Sequence, residues 1–155
     1  MTIQINPIGI IHSPYKSKES CPIQGAYFKE SIGEIEIYTE FTDGLKDIET
    51  FSHIILLYHF DKAGEIKMVR PTFHDDTPHG IFATRHPCRP SGIGISIVPL
   101  ISRKNNILEV GCIDVLDKTP LIDLKPYVPR FDCYPEANEG WMSDKAWRPK
   151  PPGLE

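Results

Sequence analysis

The sequence predicts a mainly β protein: a single small β-barrel with short helices and an extended C-terminal arm rich in proline and tryptophan. Proline is the first reason. Fifteen of the 155 residues are proline, spread from Pro7 to Pro152, roughly twice the average share. An interior proline removes a backbone donor and clashes with the preceding turn, so long helices and a helical bundle are excluded. Second, the apolar residues fall into short β-branched runs bounded by turn residues, the pattern of a closed or partly closed barrel. Third, 40% apolar and 25% charged residues is ordinary globular usage. A chain of this length buries a core without a metal or a disulfide staple.

The elements follow in order. Ile8-Gly9-Ile10-Ile11 reads as a strand stopped by Ser13-Pro14-Tyr15. Gly33 to Tyr38 alternates apolar with polar residues, the period of a half-buried strand. Thr42-Asp43-Gly44 is placed to cap one helical turn, Leu45 to Ile48, which Phe51 helps to bury. Ile54 to Tyr58 is apolar throughout and predicts a central strand buried on both faces. Further strands are predicted at Gly80 to Ala83, Ile93 to Leu100, Ile107 to Ile113 and Leu121 to Leu124. Asn105-Asn106 is a tight-turn signal that makes a hairpin of the two strands flanking it. The barrel is expected over residues 1–130. In residues 131–155, Pro135, Pro149, Pro151 and Pro152 with Trp141 and Trp147 argue against a strand. This arm is expected to dock its indoles on the barrel or on a second subunit, because free indoles would expose large apolar surface.

Charge is balanced towards the acidic side, with 17 basic and 21 acidic residues and a net charge of −4. That excludes a general nucleic-acid coat but not a local basic patch. Residues 62–104 hold 7 basic and 3 acidic residues, whereas both flanks are acidic, so one cationic face for a phosphate-bearing ligand is compatible with the pattern. Cys21, Cys88, Cys112 and Cys133 form no CxxC pair and follow no secretory leader, which fits a reduced, cytoplasmic protein. The longest apolar run, Ile54 to Tyr58, is too short to span a bilayer, and no membrane role is expected.

Several chemical readings fall away. His74-Asp75-Asp76 with His79 and His86 matches no common metal-ligand spacing, so no metal is expected. His53 and His59 share one face of an apolar strand and read as core or edge residues. Cys88 lies among cations that would lower its pKa, but a lone thiol on a loop is usually a bystander. Gly92-Ile93-Gly94 lacks the third glycine of a dinucleotide fingerprint. Two segments remain. Arg85 and Arg89 sit four residues apart on the loop Thr84 to Gly92, which Pro87 and Pro90 stiffen, an arrangement suited to a carboxylate or phosphate. In Asp114 to Tyr127, Asp117-Lys118-Thr119-Pro120 reads as a turn. Asp123, Lys125 and Tyr127 then alternate onto one side of the strand that follows.

These segments, with Ile8 to Tyr15, Gln24, Phe51-Ser52-His53, Gly80 to Arg85, Arg89-Pro90 and Gly94-Ile95-Ser96, resemble the TsaA-like family, which includes the tRNA methyltransferase O enzymes. The resemblance covers residues 8 to about 130 in order. It implies a β-barrel that uses S-adenosylmethionine, usually as a homodimer with the cofactor near the subunit interface. It also implies methyl transfer to N6 of threonylcarbamoyladenosine beside the tRNA anticodon. By position, Gln24, Gly25 and Ala26, then Phe60 and Asp61, match cofactor-contacting loops, and Arg85, Ile95 and the turn Leu116-Asp117-Lys118-Thr119 match further parts of that pocket. Asp117, Lys125 and Tyr127 are the candidates for orienting the target amine and managing its charge, with Arg89 on RNA phosphate. The chain departs from the family at Ser91, where asparagine is common, and at Lys118, where glycine is common. A lysine there either crowds the pocket or demands a different turn. Two rival expectations follow: a same-fold methyltransferase for a small molecule or protein, and a non-catalytic S-adenosylmethionine-binding module.

Overall fold

Apolar residues at every second position leave each strand one greasy face, and six such strands bury those faces against one another. In the computed structural model, which describes residues 1–23, 25 and 30–146, they are β1 (Gly9–His12), β2 (Gly33–Ile37), β3 (His53–His59), β6 (Ile93–Lys104), β7 (Ile107–Val110) and β8 (Thr119–Pro126). All pairings are antiparallel, in the order β1-β2-β7-β6-β3-β8, and β8 pairs back onto β1, so the ring of ladders closes. Two short strands, β4 (Val69–Arg70) and β5 (His79–Gly80), form a separate ladder. Among the described residues, helical structure is confined to short 3-10 turns and one four-residue helix, α1 (Pro129–Asp132). The protein is thus mainly β with few helices. Among the described residues, no helix is long and apolar enough to cross a membrane.

The core is made by Ile11, Ile35, Ile54, Leu56, Val98 and Leu108, all fully buried. Asn105 sits in the left-handed region (φ 55°) between β6 and β7, the hairpin turn that Asn105-Asn106 announces. A bulge in β8 opposite Leu57 and Tyr58 skips Ile122. It leaves Asp123 opposite Leu57 and Lys125 opposite Ile55.

The structure corrects four expectations. β3 is buried on one face only: Ile54, Leu56 and Tyr58 point into the core, while Ile55 and Leu57 are half-buried. In an antiparallel ring the second face of a strand is the outside, whereas an all-apolar run suggests cover on both. Gly80 to Ala83 is not a strand; after His79–Gly80 the chain turns into a 3-10 helix, Ile81–Ala83. The chain also forms two compact units, one of residues 1–61 and 93–127 and one of residues 62–92 and 128–155, so residues 62–92 do not belong with the barrel. Finally, Trp141 of the C-terminal segment packs on that inserted segment. Its Nε1–H donates to the Ala83 carbonyl at 2.9 Å, and its ring stacks on His79 with centroids 3.8 Å apart. The inserted segment supplies both an acceptor for the indole and a flat partner for its ring, two needs that strand patterning does not register. Trp147 lies outside the described residues.

Candidate active site

Within the barrel unit, the segment that leaves β7 makes a sharp bend at Gly111 and Cys112, the latter in the left-handed region (φ 53°). It carries Asp114 to a central position. One carboxylate oxygen accepts the Ser96 hydroxyl at 2.6 Å and the other accepts the Gly25 backbone N–H at 2.9 Å. Ser96 lies within hydrogen-bond distance of the Tyr58 hydroxyl, at 2.9 Å, and the Asp114 carbonyl accepts the Cys21 thiol at 3.1 Å. A chain of polar groups therefore runs from the buried wall of the barrel through Asp114 to the loop that the resemblance gives to the cofactor. Gly25 fits there for a steric reason: a Cβ at this position would overlap the carbonyl oxygen of Cys112. Gln24 and Ala26 lie outside the described residues.

Tyr58 and Phe60 form an edge-to-face pair with centroids 5.4 Å apart, and both rings lie against Gly94, where a Cβ would overlap them. Asp61, just after them, is exposed. Ile95, beside Gly94 on β6, points outward.

The turn Leu116 to Thr119 is closed by Thr119 N–H and Oγ–H, both donating to the Leu116 carbonyl. Asp117 ties it to the end of β1. Its carboxylate accepts the Ser13 N–H at 3.0 Å and the Lys16 ammonium at 2.6 Å, with His12 Nδ1 at 4.0 Å. Burial pushes the Asp117 carboxyl up, but the Lys16 ammonium, the Ser13 N–H and His12 outweigh it and hold the group below its ordinary range. Lys118 is exposed and sits in the left-handed region, φ 66°. The turn is therefore made with lysine where the resemblance expects glycine, and the lysine side chain is exposed to solvent. An L-residue there is strained by about 1 kcal/mol. Lys118→Gly is expected to leave the melting temperature unchanged or raise it, and Lys118→Ile to lower it. A lower melting temperature for the glycine variant would show that the lysine side chain itself holds the turn.

Asp123, Lys125 and Tyr127 do share one face, the outer one. Lys125 Nζ pairs with Asp123 at 2.7 Å, and the Tyr127 ring meets the His53 ring edge-on at 6.3 Å. Asp117 does not join them. It precedes Thr119 and Tyr127 follows Pro126, so the eight-residue β8 separates them, a span of about 26 Å. In one chain the three expected catalytic groups do not meet on one amine, because strand parity fixes a face but not a position along the strand.

In the second unit, Arg85 is exposed, and Arg89 Nη1 donates to the Thr84 carbonyl at 2.9 Å. Arg89 to Gly92 is a tight turn, with Gly92 N–H on the Arg89 carbonyl at 3.0 Å and Gly92 at φ 59°. Ser91 is exposed in that turn. His79 bonds Asp75 at 3.1 Å, and Lys145 reaches the same carboxylate at 3.4 Å. Among the described residues, no group of three or more His, Cys, Asp or Glu is arranged to hold a metal.

Residues 10–133 match the tRNA-methyltransferase O N-terminal domain family. The chain belongs to this family. Similar proteins include a probable S-adenosyl-L-methionine-binding protein of Pyrococcus abyssi, 51% identical over 92% of this chain and 77% of that one. The tRNA (adenine(37)-N6)-methyltransferase of Escherichia coli is 35% identical over 90% of this chain and 64% of its own. A crystal structure of TrmO superposes with a TM-score of 0.79 at 37% identity, covering 90% of this chain and 64% of that chain. The chain thus spans a little under two thirds of the solved tRNA-methyltransferase O chain. The hydrogen-bond geometry brings Asp114, Ser96 and Lys16 into view as residues around the candidate site that sequence patterning did not single out. Asp114 anchors Gly25 across 89 positions of sequence, and no local periodicity signals a contact at that separation.

Proposed function

We propose that this protein is an S-adenosylmethionine-dependent methyltransferase that methylates N6 of threonylcarbamoyladenosine at position 37 of tRNA, beside the anticodon. The observation that carries the reading is the match, over nine tenths of the chain, to the Escherichia coli enzyme named for that position. The barrel's residues fit the cofactor. The loop at Gly25, held by Asp114, and the turn Leu116 to Thr119 are fixed by their own hydrogen bonds and are the segments proposed to line the cofactor. The aromatic pair Tyr58–Phe60 and the carboxylate of Asp61 suit a cationic sulfonium. Arg85 and Ile95 are proposed to take the cofactor-binding places that the resemblance implies, and the Arg85 guanidinium suits the cofactor's carboxylate.

When bound, the cofactor supplies an electrophilic methyl group. The chain must hold a weakly nucleophilic exocyclic nitrogen in line with it and accept the proton that leaves. Lys125 and Tyr127, on the outer face with Asp123 and His53 and at the far end of β8 from the turn Leu116 to Thr119, are proposed to do this for cofactor held by a second copy. Asp117, with its carboxylate held by Ser13 and Lys16, acts by fixing the turn. Arg89 is proposed to meet RNA phosphate.

The outer face of β3 and β6 supports a homodimer. Ile93, Ile95 and Ile97 are 40%, 44% and 50% exposed, and they stand opposite His59, half-buried Leu57 and half-buried Ile55. An apolar stripe of this kind is what a second copy would cover. None of the four cysteines, all among the described residues, is in a disulfide, in keeping with a cytoplasmic setting where tRNA is found.

The test is methyl transfer from S-adenosylmethionine to tRNA that carries threonylcarbamoyladenosine, read by nucleoside mass spectrometry, with molar mass measured by light scattering. Methylation at N6 of position 37 by a species of twice 17.6 kDa is expected. Cofactor binding without transfer to any tRNA would replace this reading with that of a binding module, and a monomer would remove the dimer.

A further inference from the structure

The second unit carries a cluster that the proposed chemistry does not use. Trp141, half-buried in the 3-10 turn Gly140–Met142, is held by three residues of the inserted segment. Its ring lies flat on His79, with centroids 3.8 Å apart and planes 15° apart, and the His74 ring meets it edge-on at 6.0 Å. Its Nε1–H donates to the Ala83 carbonyl at 2.9 Å. Asp75 completes the cluster: its carboxylate accepts the His79 Nε2–H at 3.1 Å and the Lys145 ammonium at 3.4 Å. The stretch from Trp141 to Lys145 is thus fastened at both ends, by the indole and by the ammonium. Tryptophan suits the first anchor because one side chain supplies both a flat apolar face and a donor.

What the indole holds is the root of the loop that bears Arg85 and Arg89. Ala83 ends the 3-10 helix Ile81–Ala83, and the loop hangs from the next residue, Thr84. Thr84 N–H and Oγ1–H both donate to the Ile81 carbonyl, at 3.2 and 2.9 Å. Thr84 Oγ1 accepts the His86 N–H at 3.2 Å, and the Thr84 carbonyl accepts Arg89 Nη1–H at 2.9 Å. His86 Nδ1 in turn accepts the Cys88 N–H at 3.1 Å. Arg85 therefore lies between two residues whose N–H groups are both bonded, and the Arg89 side chain is tied to the residue that the helix fixes. Ile81, at the start of that helix, is buried and donates its N–H to the Met68 carbonyl at 2.8 Å, whereas Ala83, at its end, is exposed. The last carbonyls of a helix lack donors within it, and the exposed end is the one that the indole fastens.

We propose that Trp141 is a positioning residue: by fastening the helix end at Ala83, the C-terminal segment holds the loop in the shape that Arg85 and Arg89 need to meet their anions. This rests on the reading above, in which Arg85 meets the cofactor's carboxylate and Arg89 an RNA phosphate, and it names what keeps them in place. Bidentate recognition by a guanidinium tolerates little displacement, so a loop free to move from its root binds its anion less well. Phenylalanine at position 141 keeps a ring for His79 and loses the donor for Ala83, which separates the fastening from the packing.

The test uses the full chain and two measurements. The first, amide hydrogen exchange, needs no ligand. Trp141→Phe should speed exchange at Thr84 and His86 about three- to tenfold, the factor expected for the loss of one hydrogen bond, and leave Ile54 and Leu56 of β3 unchanged. Unchanged exchange at Thr84 and His86 overturns the proposal. So does an equal rise at Ile54 and Leu56, the mark of a general loss of stability. The second measurement is S-adenosylmethionine affinity by calorimetry, in a double-mutant cycle with Arg85→Gln. Trp141→Phe should weaken the cofactor about three- to tenfold in wild type and have no further effect once Arg85 is replaced. Where Arg85→Gln weakens the cofactor, no effect of Trp141→Phe in wild type, or an equal effect in both backgrounds, overturns the proposal. Where Arg85→Gln leaves the cofactor unchanged, the cofactor reading of Arg85 fails, and the exchange measurement alone decides for or against Trp141. Should Trp141→Phe not fold, Lys145→Met, which releases the second anchor at Asp75, carries the same comparison.

Discussion

Asp114→Ala is expected to lose most of the affinity for S-adenosylmethionine and to destabilise the barrel at the same time. The carboxylate is the shared acceptor for the Gly25 N–H and the Ser96 hydroxyl, and Ser96 is buried next to Tyr58. Removing it leaves the Ser96–Tyr58 pair without its terminal acceptor and leaves Gly25 with no anchor at the floor of the loop. Hydrogen bonds to a charged acceptor contribute about 1.5–3 kcal/mol each when their partners are left unmade. Discounting for the half-exposed side of the loop, a loss of about 3 kcal/mol is expected, or about 9 °C in melting temperature for a chain of this size. The dissociation constant for the cofactor should rise at least tenfold. Asp114→Asn should fall between, since the amide retains an acceptor for one of the two donors but lacks the charge. Thermal melts and calorimetry on the three proteins check this. An alanine variant that binds the cofactor like wild type would show that the loop is held by something other than Asp114.

The second large effect is acid sensitivity through Asp117. Its folded pKa is depressed, so its contribution is fully present above the unfolded carboxyl value of about 3.9 and is lost as pH falls through the lower folded value. The side chain is 10% exposed while its Lys16 partner is 72% exposed, so the ion pair is partly screened and the bond to Ser13 N–H carries much of the effect. That stability should therefore be lost progressively in wild type as pH falls through and below the ordinary carboxyl range. Asp117→Asn should be less stable than wild type at pH 7 and should converge with it at low pH. Melting curves at a series of pH values decide it; parallel curves for the two proteins would remove Asp117 from the acid transition. A fall in cofactor affinity at pH 7 is also expected, because the turn that Asp117 fixes is part of the proposed pocket.

Much of the architecture was legible without coordinates. Prolines spread through the chain excluded a bundle, and period-two alternation at Gly33 to Tyr38 located β2 to within a residue. Asn105-Asn106 marked the β6–β7 hairpin. The outer face shared by Asp123, Lys125 and Tyr127 also followed from parity, although the bulge at Ile122 means that the faces of Leu121 and Leu124 do not. Other features were read wrongly because they depend on what lies across space. An apolar run such as Ile54 to Tyr58 records that both faces are greasy, but not that one of them remains on the outside of a ring. Residues 62–92 looked like more barrel because a two-residue ladder such as β4–β5 is too short for a periodic signal.

The sequence by itself determined the class of the fold and the family, because propensity, alternation and motif spacing are local properties of the chain. Only the tertiary structure decided which segments meet. It placed Asp114 under Gly25 and tied Asp117 to Ser13 across 104 positions. It set Lys125 and Tyr127 at the far end of β8 from Asp117, and left Arg70 Nε buried without an acceptor among the described residues. The physical reason is that hydrogen bonding and burial act between groups brought together by strand register, and register is settled by the packing of the whole ring rather than by any one segment.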